Sequence, residues 1–397
     1  MNLSRRLRRR LLAMGLVVPA GSMLSIRAQA LDEPGTDAAP DAAPDRDRDF
    51  PPVLAGRTLV FPQDHGAHPD WRTEWWYFTA WLESTDGPLG LQLTFFRSRT
   101  THARQNPSRF AARQLLFAHA ALADPSEGRL IHAEQAWRAD PAVAEYAIDN
   151  TGLMLGRSHR RWTLSLVDRA GRYQARIIDP AFEATLQIVA DRQPALQGEA
   201  GFSRKGPRPE QASYYYSRPH LAVTGTVGRA GRTNAIRGIG WIDHEWSSAL
   251  LDPAAKGWDW AGINLHDGSA LMAFRIRGPG DTDLWRVATR LDRTDIGQPG
   301  STSPGWRPRE VPVAITALRQ WQSPRTGAQY PVSLGIRTDG LDLILAPLFD
   351  DQELDSRAST GVIYWEGAVR ALDRSRPDVE LGRGYLELTG YASPVVL

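Results

Sequence analysis

Apolar side chains alternate with other residues along much of this chain, and this period of two constrains the fold more than any other feature. Residues 89–95, 162–166 and 341–345 show the alternation most clearly. Because successive side chains of a strand point to opposite faces, each segment predicts a strand with one buried face. Tight-turn dipeptides lie between or beside such segments, at 86–87, 170–171, 267–268 and 339–340. The pattern predicts an all-β protein of antiparallel hairpins.

One hairpin pattern occurs twice: an aromatic strand, a tight turn, an apolar strand and then an arginine. The first copy spans residues 76–97 and the second spans 258–275. About 350 structured residues exceed one ordinary core, so the repeat predicts two tandem β domains, each an antiparallel barrel or curled sheet. We expect them at 50–232 and 233–397, with the junction within 226–237. The alternative is that two unrelated hairpins happen to look alike.

The first 30 residues have the composition of an export signal. Residues 1–10 hold five arginines and no acid, residues 11–26 are largely apolar, and Ala28-Gln29-Ala30 offers small residues for cleavage near Ala30. The arginine pairs allow either the Sec or the twin-arginine route. An uncleaved anchor is the alternative. Residues 31–49 are rich in Asp, Ala and Pro and predict a disordered linker. We therefore expect a periplasmic or secreted protein.

Charge and cysteine content exclude several classes of function. The net charge of +2 includes six arginines and no acid within residues 1–30, so the mature chain carries −4. The remaining positive charge is scattered among acids, which argues against a nucleic-acid partner. With no cysteine, the chain forms no disulfide and has no thiol nucleophile. A Gly-x-Ser-x-Gly motif is also absent from the sequence, so nothing in it favours a serine hydrolase.

Two segments, 64–78 and 240–246, combine aromatic residues with acids and histidines. Asp243 and Glu245 are two positions apart, so in a strand they share one face while His244 points to the other. Burial among indoles raises a carboxyl pKa, and an apolar pocket with a few ionisable groups suits an oily substrate. The alternative is that these acids pair with arginines or with Trp and Tyr donors and tie the two domains together.

Further aromatic and acidic motifs extend over nearly the whole mature chain. They are Asp64-His65-Gly66-Ala67-His68, Glu74-Trp75-Trp76-Tyr77-Phe78, Phe117-Ala118-His119-Ala120-Ala121, Ser213-Tyr214-Tyr215-Tyr216-Ser217, Trp241-Ile242-Asp243-His244-Glu245-Trp246, Gly257-Trp258-Asp259-Trp260, Tyr364-Trp365-Glu366-Gly367 and Tyr385-Leu386-Glu387-Leu388-Thr389-Gly390-Tyr391. Together they resemble the carotenoid 1,2-hydratase (hydroxyneurosporene synthase) family and its secreted relatives, which are labelled predicted hydrolases or lipocalin-like proteins. The resemblance implies two lipocalin-like domains. It also implies a strand at 111–122, where periodicity alone does not decide between helix and strand.

A hydratase of the resembled type needs an acid that protonates an alkene, aromatic faces that tolerate a carbocation, and a base that helps water add. It needs no cofactor. We expect Asp243 or Glu245 to be the proton donor and Glu74 or His65 to be the base. The cation-stabilising walls and other substrate contacts expected from the motifs are Trp75, Trp76, Tyr77, His119, Tyr216, Trp241, Trp246, Trp258 and Trp260. The resemblance implies a lipophilic, isoprenoid-like small molecule as the partner.

Two other functions stay open. A periplasmic lipocalin-like carrier would need the aromatic cavity without the acids. A secreted metal-dependent hydrolase would use His65, His68 and His244. Their spacing is unlike the helical His-Glu-x-x-His pattern, and a strand would splay Asp243, His244 and Glu245, so the sequence predicts no metal site.

Two regions have weaker interpretations. Arginines between 97 and 113 are typical of a solvated loop, with a lid that makes peripheral contact with the inner membrane as the alternative. Residues 278–309, rich in Gly, Pro and Asp, predict a long excursion of unknown purpose. Oligomeric state is left open.

Overall fold

Antiparallel β-sheet makes up nearly all of the protein. The computed structural model describes residues 50–102, 106–108, 111–169, 171–249, 251–295, 297 and 304–395. Strands take up 62% of the described residues and helix only 4%, which confirms the all-β prediction. The predicted signal peptide (1–30) and linker (31–49) lie outside the described residues. None of the helices in the described part is long and apolar enough to cross a membrane.

The first sheet has 13 strands within the described residues. They are β1 (Thr73–Ser84), β2 (Gly87–Arg99), β3 (Gln114–Ala123), β4 (Ile131–Arg138), β5 (Ala144–Tyr146), β6 (Gly152–Leu155), β7 (Trp162–Leu166), β8 (Arg172–Ile178), β9 (Glu183–Val189), β10 (Ala195–Leu196), β11 (Phe202–Arg204), β12 (Ala212–Arg229) and β13 (Arg232–Ala249). Their spatial order is β4-β3-β2-β1-β13-β12-β9-β8-β7-β6-β5, with β10 and β11 also paired to β12.

The second sheet has 10 strands within the described residues. They are β14 (Gly257–Leu265), β15 (Ala270–Arg277), β16 (Asp283–Thr294), β17 (Gly305–Val311), β18 (Val313–Gln322), β19 (Gln329–Thr338), β20 (Leu341–Pro347), β21 (Glu353–Ser356), β22 (Val362–Asp373) and β23 (Arg376–Thr389). Their order is β17-β16-β15-β14-β23-β22-β20-β19-β18, with β21 also paired to β22. Short 3₁₀ helices lie at Gln63–His65, Pro125–Glu127, Ser158–Arg160 and Pro279–Asp281.

Both sheets must curl, because their edge strands are neighbours in the sequence. The first sheet ends in β4 and β5, and the second ends in β17 and β18, which only Pro312 separates. Laid flat at about 4.8 Å per strand, paths of this length would hold their edges roughly 40 to 50 Å apart. The short connections cannot span such distances. One of the sheets is nearly closed into a barrel, which confirms the lipocalin-like, curled-sheet prediction.

The repeated hairpin begins each sheet. β1 and β2 form the first copy, and β14 and β15 form the second. In each copy the arginine lies directly opposite an acid and forms a buried ion pair with it: Glu74 with Arg97 at 2.7 Å, and Asp259 with Arg275 at 2.6 Å. The first strand of each sheet also pairs with its last, β1 with β13 and β14 with β23. The two halves thus share register, ion pair and closure.

Several finer expectations can be compared with the strands. The uncertain segment 111–122 forms most of β3 from Gln114 onward, so the strand prediction is confirmed there. The expected long excursion at 278–309 is wrong for most of its described part, because residues 283–294 and 305–309 belong to β16 and β17, which pair with each other. The expected junction within 226–237 falls in the hairpin between β12 and β13, which both belong to the first sheet. The change of sheet comes later, between Ala249 and Gly257.

Five buried apolar clusters lie in the described part of the molecule, and three of them are large. One lies inside the first sheet around Phe78 and Trp162, and another lies inside the second sheet around Trp365. The third contains side chains of both sheets, including Trp241 and Trp260, and so lies between them. Strand alternation divides β13 between two of these environments. Its odd-numbered residues from 239 to 245 face the second sheet, and its even-numbered residues face the interior of the first.

Candidate functional site

A row of buried polar side chains crosses the outer face of the first sheet, toward the second sheet. In register, His119 of β3 lies opposite Thr94 of β2, Thr94 opposite Tyr77 of β1, and Tyr77 opposite Asp243 of β13. Asp243 in turn lies opposite Ser217 of β12. Directly opposite residues of an antiparallel pair share a face. The row therefore places one acid and several hydroxyls in the layer between the sheets.

Asp243 is the centre of this row. Its carboxyl accepts hydrogen bonds from the Tyr215 hydroxyl at 2.6 Å, the Ser217 hydroxyl at 2.6 Å and the Trp241 indole N–H at 2.7 Å. Burial raises the pKa of Asp243 from 3.8 to about 7, although the three hydrogen bonds partly oppose that effect. Near neutral pH, a substantial fraction of Asp243 is therefore protonated and able to donate a proton.

The second sheet contributes two more buried acids, Glu366 of β22 and Glu387 of β23, which lie directly opposite each other. The Tyr77 hydroxyl donates to Glu366 Oε1, while Glu366 Oε2 has no hydrogen-bond partner among the described residues. Burial raises the pKa of Glu366 well above its usual range. Burial also raises the pKa of Glu387 to about 7, and the charges of Asp243 and Glu245 add to that effect. Burial thus raises the pKa of three acids in this layer, Asp243, Glu366 and Glu387.

Sequence reasoning missed Glu366 and Glu387 as site residues. Each lies in a strand that also holds other acids, and nothing in its local spacing marks it as functional. A signal was nevertheless present, because both lie inside aromatic motifs on which the family resemblance rests. Tyr215, whose hydroxyl contacts Asp243, was missed in the same way beside the predicted Tyr216.

Glu245 differs from Asp243 although both share a face of β13, as the sequence predicted. The Lys205 ammonium lies 3.0 Å from Glu245 Oε1 and packs over the rings of Tyr215 and Phe274 at 4.5 and 4.2 Å. Glu245 is therefore the counter-ion of a buried lysine. Of the two predicted proton donors, the contacts favour Asp243.

Aromatic rings surround this acid layer. The Trp260 ring meets Tyr77 edge-on at 5.1 Å and Trp241 at 6.1 Å, and its indole N–H donates to the Tyr215 hydroxyl at 3.2 Å. The Trp258 indole donates to Glu387 Oε1 at 3.1 Å. Trp75 packs at the edge of the same cluster. The structure thus brings together five of the predicted substrate contacts, Trp75, Tyr77, Trp241, Trp258 and Trp260.

His119 lies at the far end of the polar row. Its Nδ1 is 2.8 Å from the Tyr364 hydroxyl and its Nε2 is 2.9 Å from Ser359 Oγ. Burial lowers its pKa to about 3, so the ring stays neutral. His119 therefore links the two sheets and can border a ligand in the layer between them.

The other predicted site residues lie on the opposite face of the first sheet. Glu74, Trp76 and Trp246 belong to even-numbered positions of β1 and β13, so strand alternation turns them into the interior. His65 and Tyr216 join them there through a contact of 2.7 Å between His65 Nδ1 and the Tyr216 hydroxyl. The expectation that Glu74 or His65 lies beside Asp243 is thus not met by the structure.

This interior group is dominated by Glu74. Its Oε2 accepts from Arg97 Nε at 2.7 Å, and its Oε1 lies 2.7 Å from His68 Nδ1 and 2.9 Å from His244 Nε2. Burial alone would raise the pKa of Glu74, but Arg97 and the two histidines outweigh it and hold that pKa well below its usual range. Burial lowers the pKa of His244 to about 4 and that of His65 well below normal.

The solvated loop expected for the arginines between 97 and 113 is wrong for two of those that the structure describes. Arg97 is buried beside Glu74, and Arg99 is buried with its guanidinium donating to the Asp70 carbonyl at 2.7 Å. Arg104 and Arg109 lie outside the described residues. Contact with a membrane stays a prediction.

Two adjoining clefts open at the border of the sheets, with volumes of about 280 and 270 Å³. They share Gly198, and the second is lined by Ser203, Arg204 and Met272. Met272 is two residues from Phe274 on the same face of β15, and Phe274 contacts Lys205. The second cleft therefore opens beside the Lys205 end of the acid layer.

Comparison with known sequences decides the family. The sequence profile of the AttH-like family matches residues 52–391. The chain belongs to the AttH-like family. A solved structure from Nitrosomonas europaea, assigned as an AttH, is 46% identical to this AttH-like protein, with a TM-score of 0.76. That alignment covers 86% of this chain and 99% of the other.

Two more distant structures share the fold of this AttH-like protein. Kievitone hydratase from Nectria haematococca is 15% identical, with a TM-score of 0.60 over 87% of this chain and 97% of that one. CghA, solved with Sch210972, is 10% identical, with a TM-score of 0.50 over 81% and 89% of the chains. The comparison with curated proteins gives no match. Family and fold are thus established, whereas the narrower identification with carotenoid 1,2-hydratases stays a prediction.

Proposed function

We propose that this AttH-like protein is an exported, cofactor-free lyase of the hydratase type, acting on a lipophilic, isoprenoid-like alkene between its two sheets. One observation carries the proposal: Asp243 is buried among Tyr215, Trp241 and Trp260 with its pKa raised to about 7. A neutral carboxylic acid in an aromatic, water-poor layer is the group that alkene protonation requires. Kievitone hydratase, which shares the fold, is by its name a hydratase.

Hydration of the alkene needs water as its only other reactant. The Asp243 carboxyl O–H bond breaks and its proton forms a C–H bond with one alkene carbon, while the π electrons leave a cation on the other carbon. The faces of Trp241 and Trp260 stabilise that cation. Water adds its oxygen to the cation and then gives a proton to the Asp243 carboxylate, which restores the acid. The same steps in reverse describe dehydration.

Glu366 is suited to position the water. Its Oε1 is held by the Tyr77 hydroxyl, and its Oε2 is buried with no partner among the described residues. A neutral carboxyl both donates and accepts hydrogen bonds. Glu366 therefore replaces Glu74 and His65 as the water-positioning group in this proposal.

A periplasmic or secreted setting fits a substrate of this kind. The leader composition predicts export, and we propose that the ligand reaches the site from a membrane surface. The border cleft beside Lys205, Met272 and Phe274 is the proposed route.

The experiment is incubation of the purified protein with a panel of acyclic isoprenoid alkenes in deuterated water. Mass spectrometry detects the alcohol, and the label reports the protonated carbon. Because general acids contribute about 10² to 10⁴-fold, Asp243→Asn should lose at least 100-fold in rate while retaining ligand binding. Asp86→Asn, on the exposed β1–β2 turn, is the control.

Two outcomes would overturn the lyase proposal. Turnover by Asp243→Asn near the wild-type rate would remove Asp243 from the reaction. Tight binding with no turnover by the wild-type protein across the panel would favour the lipophilic carrier instead.

A further inference from the structure

Three metal-type donor atoms converge inside the first sheet, on the face of β13 opposite Asp243. His68 Nδ1, Glu74 Oε1 and His244 Nε2 lie within 4.8 Å of one another, and all three residues are buried. Both imidazole nitrogens point to the same carboxylate oxygen, at 2.7 and 2.9 Å. Two imidazoles and one carboxylate are a donor set that Zn²⁺ uses in open, three-ligand sites.

The outer contacts of these residues match those of metal ligands. The remaining polar atom of each residue is also engaged: His68 Nε2 lies 2.9 Å from Asp64 Oδ1, and His244 Nδ1 lies 3.1 Å from the Tyr216 hydroxyl. Glu74 Oε2 accepts from Arg97 Nε at 2.7 Å and from the His68 backbone N–H at 2.8 Å. In metal sites, such partners fix the tautomer and orientation of each ligand. With an ion bound, each imidazole proton would sit on the outer nitrogen, toward Asp64 or Tyr216.

Packing also fixes the two rings. His68 stacks on Trp246 with centroids 3.7 Å apart and planes 5° apart, and His244 stacks on Trp76 at 4.6 Å and 21°. Rings held in this way are preorganised for one geometry. The His68 side chain is 9% exposed, whereas those of Glu74 and His244 are fully buried, so the His68 end of the cluster is the one nearest solvent.

The repeat provides an internal comparison. In the second half, Asp259 pairs with Arg275 just as Glu74 pairs with Arg97, but its other oxygen is satisfied by Arg277 at 3.0 Å and Tyr391 at 2.9 Å. A buried acid–arginine pair at this position of the fold thus needs no histidine. The Glu74–Arg97 ion pair therefore does not by itself require His68 and His244.

We propose that His68 Nδ1, His244 Nε2 and Glu74 Oε1 bind one divalent transition-metal ion, with Zn²⁺ as the best match. The ion takes the place of the hydrogens now shared with Glu74 Oε1. This site lies on the other face of β13 from the proposed lyase pocket, so it stands or falls independently of that activity.

The test is zinc uptake by the chelator-treated full chain, purified without a histidine tag, with elemental analysis for stoichiometry and calorimetry for affinity. One Zn²⁺ per chain is expected. His68→Ala and His244→Ala should remove that uptake. Asp64→Asn keeps all three ligands but alters the outer contact of His68, together with the Asp64 contacts to Arg57 and to the Val60 backbone N–H, and should weaken uptake by about 10 to 100-fold. The matched control is His266→Ala, which disrupts an exposed His266–Glu380 pair of 3.2 Å and should bind zinc like the wild type.

Circular dichroism checks that each variant is folded. If an alanine variant fails to fold, Asp64→Asn and Tyr216→Phe provide the measurement through their affinities. Uptake of Fe²⁺ or Mn²⁺ through the same residues would also support the site. No uptake of any of these ions, or zinc binding unchanged in both the alanine and outer-contact variants, would overturn the proposal.

Discussion

Replacing Arg97 by methionine should lower the free energy of unfolding by about 3–5 kcal/mol, the usual cost of leaving a buried charge without its partner. The Arg97 side chain is 0% exposed. Its guanidinium donates to Glu74 Oε2 at 2.7 Å, to Gln114 Oε1 at 2.8 Å, and to two backbone carbonyls at 2.9 Å. Methionine fills similar space but cannot donate any of these bonds, so the loss is electrostatic rather than steric.

The assay is urea denaturation followed by tryptophan fluorescence at pH 7. The control is Arg172→Met, because Arg172 pairs with Asp168 on the surface with its side chain 65% exposed, and such pairs contribute at most about 1 kcal/mol. A loss for Arg97→Met within about 1 kcal/mol of the Arg172→Met value would refute the reasoning.

The pH dependence of the same variant gives a second check. Because the folded pKa of Glu74 is held well below its usual range, its contribution to stability is present at neutral pH and is lost as pH falls through that folded pKa. Without Arg97, Glu74 can take up a proton at higher pH. The difference between the variant and the wild type should therefore shrink as pH falls toward 4.5.

Three further predictions concern the layer between the sheets. Tyr77→Phe removes the hydroxyl that donates to Glu366 and should lower the free energy of unfolding in denaturant by about 1–3 kcal/mol. Tyr385→Phe should be neutral or stabilising, because the Tyr385 hydroxyl has no hydrogen-bond partner among the described residues. Equal losses for the two variants would contradict this. The folded pKa of Asp243 is raised from 3.8 to about 7, so its contribution to stability should fall as pH rises through that window, by about 4 kcal/mol at 1.36 kcal/mol per pH unit. Melting curves of Asp243→Asn should lack that decline. The same pH dependence of stability in the variant and the wild type would count against the raised pKa. Gly262→Ala would place a methyl group 2.5 Å from Trp260 Cη2. The resulting overpacking should lower the free energy of unfolding by about 1–3 kcal/mol and alter tryptophan fluorescence. Wild-type stability of this variant would show that the Trp260 ring moves freely.

Strands and hairpins were predictable because they follow from local alternation and turn residues. The shared face of Asp243 and Glu245, with His244 opposite, was predictable for the same reason. The environment of each face was not. Whether an odd or an even position of β13 meets the second sheet depends on how the whole sheet curls, and no local pattern records that.

Local sequence patterns also could not predict which side chains from distant strands come into contact. The sequence spacing of His68, Glu74 and His244 matches no metal motif, because the cluster forms only when β1 pairs with β13 and the 64–70 segment covers the end of the pair. Glu366 meets Tyr77 across the two sheets, 289 positions apart. The family resemblance pointed to their motifs, but it did not indicate which residues face each other.

The pairing of first and last strands in each sheet affects how the chain can fold. Thr73 meets Ser247 in the first sheet, and Asp259 meets Leu388 in the second. Contacts between such distant positions give a high contact order, which slows folding because long loops must close first. During synthesis, the first sheet cannot close until β13 has been made. A chain ending at the β12–β13 turn would leave the inner edges of β1 and β12 unpaired and prone to aggregate.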